Sequence, residues 1–133
     1  MFRREKGFTL IELIMVIVLL GLLAVVAVPQ FYGLQANARV AAEQGVVGGV
    51  RAGIYSLRSN NVANNIAPII PATLGGAAGA CTTANPCFGT VLDQGGVTQD
   101  WTCITTTTYR GPSNGTNVYT YNATTGAFTR TTP

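Results

Sequence analysis

The chain opens its patterned part with an apolar run, Phe8 to Val28, interrupted by one acid, Glu12. The run of 21 residues rises about 1.5 Å per residue as a helix, so it spans roughly 30 Å, the thickness of a bilayer's hydrocarbon core. It is long enough to cross a membrane once. Helical spacing persists beyond Pro29: Ala36, Val40, Val47, Val50, Ile54 and Leu57 share one face and predict an amphipathic continuation over 30–59 that holds the rest of the chain. Pro29 lacks an N–H and crowds the carbonyl of Val25, so a kink or a loosened helix is expected between Gly21 and Pro29. Asn37, Gln44, Arg51 and Arg58 recur every seven residues as a polar seam, which reads as a solvated face or as contacts between copies. A third stripe, Ala41, Gly45, Gly49 and Gly53, carries nothing larger than methyl. Interior glycines cost roughly 1 kcal/mol each relative to alanine, so close backbone approach is expected there, inside the subunit or between helices.

After Leu57 the pattern decays into Ser59-Asn60-Asn61, which predicts the helix end, and Asn64 to Ala80 reads as a loop punctuated by Pro68, Pro71 and Gly75-Gly76. Strand-like runs follow at Phe88–Leu92, Trp101–Tyr109, Val118–Tyr121 and Ala127–Arg130, joined by short links rich in turn formers. Short links favour antiparallel neighbours. The fold class is therefore α+β: a long N-terminal helix, membrane-spanning over 8–29 and amphipathic over 30–59, packed on a small antiparallel head over 60–133. Phe88, Ile104, Tyr121 and Phe128 are the expected sheet contribution to the core.

Charge changes this picture little. The net charge is +3, but Arg3, Arg4 and Lys6 supply three of the eight cations, so a chain beginning at Phe8 has five cations against four acids. That balance predicts no specific nucleic-acid partner. The basic leader before the apolar run orients it with its N-terminus inside and everything after Val28 outside. An ordinary signal peptide cut near Val25-Val26-Ala27 is the rival reading. The run is long for that, and Glu12 is out of place in such a segment.

A carboxylate in a spanning helix costs about 2.5–3.5 kcal/mol on insertion scales and calls for a partner. No cation follows Glu12 before Arg39. If the chain is cut after Gly7, the new α-amino group of Phe8 lies four residues from Glu12 and can pair with it, or with the Glu12 of an adjacent copy. A carboxyl kept protonated near the headgroups is the plainer alternative.

Lys6-Gly7-Phe8-Thr9-Leu10-Ile11-Glu12 resembles the leader and cleavage site of class III signal peptides, those of type IV pilins and type II secretion pseudopilins. The resemblance covers about the first 30 residues. It implies removal of leader 1–7 by a prepilin peptidase, cleavage between Gly7 and Phe8, and N-methylation of Phe8. The family's assembly glutamate falls on Glu12 and its helix-breaking proline on Pro29. The resemblance further implies the pilin fold, an inner-membrane precursor, a homo-oligomeric helical filament and a pilus assembly machinery as partner. The stretch from Pro29 to Gly45 is similar to mannose-sensitive haemagglutinin-type pilins.

Three cysteines, Cys81, Cys87 and Cys103, allow one disulfide in an extracytoplasmic head. Cys81 with Cys87 is expected, because Thr82 to Pro86 reads as a tight turn; Cys87 with Cys103 is the alternative. With no histidine and no recognisable fourth ligand beside the thiols, no metal, cofactor or catalytic residue is expected and the chain does not read as an enzyme. Asp93 and Asp100 flank a Gly-rich turn and read as solvated acids rather than a calcium site. Asn114-Gly115-Thr116 and Asn122-Ala123-Thr124 match the glycosylation sequon and mark exposed turns.

The leading function is a structural subunit of a type IV pilus-like filament serving adhesion, motility or DNA uptake. The alternatives are a type II secretion pseudopilin, housed in a periplasmic pseudopilus rather than at the cell surface, and a minor tip subunit acting as a binding module. A fourth reading, electron transfer through Phe8, Phe31, Tyr32 and Tyr55, competes with a packing role for the same rings.

Overall fold

The computed structural model describes residues 7–113 and 115–131, apart from the side chain of Tyr32. The leader cations Arg3, Arg4 and Lys6, and Asn114 of the first sequon, lie outside the described residues. Among the described residues one α-helix, α1 (Leu10–Ala63), precedes five strands: β1 (Gly79–Ala80), β2 (Thr102–Thr105), β3 (Thr108–Arg110), β4 (Val118–Asn122) and β5 (Ala127–Thr131). The chain falls into two compact units, Met1–Asn37 and Ala38–Pro133.

The first unit is the apolar part of α1. Its described large apolar side chains from Leu10 to Leu34 are exposed, and the helix is long and apolar enough to cross a membrane. The helix runs through Gly21 and Pro29 without a break. Losing one N–H removes a single bond of the ladder, and the apolar neighbours keep the rest.

In the second unit the helix continues to Ala63 rather than ending at Ser59-Asn60-Asn61. Asn65 adopts a left-handed φ of 52°, while Ile66 N–H reaches Asn61 C=O at 2.9 Å and Asn65 N–H reaches Val62 C=O at 3.3 Å. These paired bonds form a Schellman cap, so an asparagine does stop this helix, but one beyond the pair that the sequence pattern marks.

The sheet has the order β1-β2-β3-β4-β5, every neighbour antiparallel. Trp101–Tyr109 is not one strand but a hairpin, β2 and β3, with a register shift between Cys103 and Thr105. Cys103 takes the inward position, so its neighbour Ile104 points to the opposite face and is exposed rather than a core residue. Phe88–Leu92 is a turn instead of a strand. Phe88 takes a φ of 63°, and its carbonyl accepts from Val91 and Leu92 N–H. The compact turn sends the Phe88 ring inward, where its centroid lies 4.4 Å from Tyr109, 5.2 Å from Trp101 and 5.7 Å from Phe128.

Val47, Val50 and Ile54 of α1 meet this aromatic layer, together with Tyr119 and Tyr121 of β4. Burying such rings contributes both area and edge-to-face contacts worth about 0.5–1.5 kcal/mol each. The loop 64–80 is tied down by phenols: Tyr109 donates to Gly75 C=O at 2.9 Å and Tyr121 to Pro71 C=O at 2.6 Å. On the helix's other flank the glycines admit the 88–97 segment. A methyl on Gly53 would overlap the Val91 carbonyl, and one on Gly49 would touch Leu92, whereas Gly45 and Gly48 face open space.

Candidate functional site

The N-terminal segment holds most of the residues that the sequence marks for function. Phe8 is 90% exposed, and Gly7 has open space around it. Thr9 stands just ahead of α1. Its N–H donates to Glu12 Oε2 at 2.9 Å and its hydroxyl to the same oxygen at 2.8 Å, while Glu12 N–H reaches Thr9 Oγ1 at 3.4 Å. This reciprocal pairing is a capping box, which satisfies helix-start donors that lipid cannot. The Thr-x-x-Glu spacing at 9–12 is its sequence signal, and it gives Glu12 a partner that a count of nearby cations does not suggest. Among the described residues, the hydrogen bonds accepted by the Glu12 carboxylate all fall on Oε2, which leaves Oε1 for another donor.

Pro29 lies inside α1, sixteen residues beyond Leu13 and within the exposed apolar stretch. It shares no contact site with Gly7, Phe8 or Glu12. The cysteines lie in the other unit. Cys81 and Cys87 form a disulfide, and Cys103 is a buried free thiol whose S–H donates to Thr105 C=O at 3.0 Å. Burial pushes its pKa up, so it is held as the neutral thiol.

A second polar centre has no counterpart among the sequence expectations. Glu43 is only 2% exposed on the helix face that meets the sheet. Its Oε2 accepts from Ser113 N–H at 2.8 Å and from the Ser113 hydroxyl, and its Oε1 accepts from Asn117 Nδ2 at 2.7 Å and Tyr119 O–H at 2.6 Å. A side chain on Gly111 would overlap this carboxylate, which explains a glycine at the start of the β3–β4 connection. Burial alone raises the carboxyl's pKa, but the bonds from Ser113, Tyr119 and Asn117 outweigh it, and the net direction is down. Tyr119 responds in the opposite sense: burial and then the Glu43 bond push its phenol up to about 12. Among the described residues every buried side-chain nitrogen or oxygen has a hydrogen-bond partner.

An apolar helix long enough to cross a membrane and a small antiparallel sheet are consistent with the α+β pilin fold. Residues 2–28 match the family described as the prokaryotic N-terminal methylation motif. The chain is 36% identical over 61 residues to type II secretion system core protein G of Pseudomonas aeruginosa, a match covering 46% of this chain and 43% of that protein. It is likewise 36% identical over 75 residues to fimbrial protein EcpC of Eikenella corrodens, covering 54% of this chain and 49% of that protein. It thus spans about half the length of the curated relatives it matches. No solved structure matches the chain.

Proposed function

We propose that the chain is a structural subunit of a type IV pilus-like filament. The apolar helix holds the precursor in the inner membrane, a prepilin peptidase cuts between Gly7 and Phe8, and Phe8 becomes the N-methylated first residue. Assembly then packs the helices of successive copies, with Glu12 taking up the new amine of Phe8 from its own or a neighbouring chain. The observation that carries this reading is the carboxylate of Glu12, of which Thr9 occupies Oε2 and, among the described residues, nothing occupies Oε1, at the head of a helix whose apolar side chains are exposed. Lipid before assembly and other helices after it are the surroundings that suit such a surface. Its test is Glu12→Ala, followed by electron microscopy and immunoblotting of filaments sheared from cells. Processing is expected to survive and filament yield to collapse. Normal yield from Glu12→Ala would refute the role given to Glu12.

The equal identity to a type II secretion core protein supports a second reading, a pseudopilin of a secretion system. Deleting the chain separates the two. A pilus subunit's loss removes surface filaments and leaves protein secretion intact, while a pseudopilin's loss blocks secretion.

A further inference from the structure

The exposed acids of the head and three of its arginines lie on different sides; Arg110, in register with Thr102 of β2, and Arg39 stand apart from those three. Beyond residue 37 the sequence holds five cations, Arg39, Arg51, Arg58, Arg110 and Arg130, and three acids, Glu43, Asp93 and Asp100. Glu43 is buried, so the exposed acids of this unit are Asp93 and Asp100. Both belong to the β1 side. Asp93 sits in the turn whose neighbours Val91 and Leu92 cover Gly53 and Gly49, and Asp100 precedes Trp101, whose carbonyl accepts from Cys81 N–H beside β1.

Two of the arginines gather on the opposite side, and Arg58 continues their line along the helix. Arg51 donates through Nε to the Phe128 carbonyl of β5 at 3.0 Å. Arg130 lies on β5 opposite Tyr119, and Arg51 and Arg130 both act electrostatically on the Tyr119 phenol, which places them on one side of the head. Arg58 follows Arg51 two turns later on the same seam and lines a shallow groove with Tyr55, Ser59 and Val62. Gly49 and Gly53, which face the acidic side, are each two residues from Arg51, about 200° around the helix.

We propose that the arginine edge, Arg51, Arg58 and Arg130, docks on the Asp93 and Asp100 edge of a second copy of this chain. The inference rests on the filament reading above and adds the lateral contact between heads. Two unlike patches on one subunit form a heterologous contact, which propagates as an open helix rather than closing as a dimer. Opposite charges at the two edges also set the direction of addition, because like edges repel. Arg51 also occupies the Phe128 carbonyl, one acceptor of the edge strand β5.

The test is charge reversal in the full chain, read as filaments sheared from cells relative to the cell-associated subunit. Arg58→Glu and Arg130→Glu, both on exposed side chains, are each expected to lower filament yield about tenfold, and so is Asp93→Arg. The reciprocal pair Arg58→Glu with Asp93→Arg is expected to restore yield. Filaments of the unaltered chain should shed subunits as salt rises from about 0.1 to 1 M, where the screening length falls from about 10 to 3 Å. Normal yield from the single reversals, or no rescue by the pair, overturns the proposal and leaves the filament reading standing. The first of these results overturns it even if the variants lose binding to a single-stranded DNA probe, which would assign the arginine edge to a polyanion. Absence of filaments from the unaltered chain overturns both.

Discussion

The phenol of Tyr119 donates a 2.6 Å hydrogen bond to Glu43, tying the middle of the sheet to a carboxylate buried on the helix. A bond to a charged acceptor is worth about 1.5–3 kcal/mol, and removing the donor leaves the carboxylate short of one partner. Tyr119→Phe should therefore destabilise the head by about that amount. The thermal midpoint of the full chain in detergent, followed by near-ultraviolet circular dichroism, checks it; an unchanged midpoint would mean the bond contributes nothing.

Glu43 also sets an acid limit. Its carboxyl has a lowered pKa in the fold, so its ionised form contributes stability that is complete above the ordinary value of 4.5 and is lost as pH falls through the lowered folded value. Glu43→Gln should be less stable than the native chain at neutral pH, and the gap should narrow below pH 4.5. Denaturation midpoints measured across that range give the sign directly.

Glycines along α1 should respond oppositely to the same methyl. Gly53→Ala drives Cβ into the Val91 carbonyl and should cost about 1–3 kcal/mol. Gly45→Ala and Gly48→Ala meet open space in the subunit and should each stabilise the helix by roughly 0.5–1 kcal/mol. Filament yield from the stabilised variants then reports whether a neighbour approaches there.

The disulfide closes a short loop, its cysteines being six positions apart, so reduction should cost only about 2 kcal/mol. Alkylation of the unfolded, unreduced chain should label Cys103 alone. Label on Cys81 in place of Cys103 would mean that Cys87 pairs with Cys103 instead.

Periodicity and turn chemistry carry much of the fold, and the departures have local causes. The helix, the antiparallel head, and the core placement of Tyr121 and Phe128 follow from spacing, whereas Phe88 reaches the core from a turn. Ile104 departs from its expected place because Cys103 takes the inward position of β2, and alternation then puts Ile104 outside. Phe88–Leu92 departs because a left-handed phenylalanine imitates a strand in composition. Glu43 has a visible position but hidden partners. The apolar face steps through 40, 47, 50, 54 and 57, and position 43 fills its one gap at helical spacing. Its partners, Ser113, Asn117 and Tyr119, lie some seventy residues away, and no local pattern announces them. The capping box at Thr9 and Glu12 is local and therefore readable from four letters.

The first residues of the mature chain are where the filament reading stands or falls. Intact-mass and N-terminal sequencing mass spectrometry of protein recovered from membranes or sheared filaments tests them most directly. The expected product begins at Phe8, carries a methyl group on that amine, and retains Thr9 through Val28. A chain that begins near Ala27, or one that keeps its leader in assembled filaments, would contradict it.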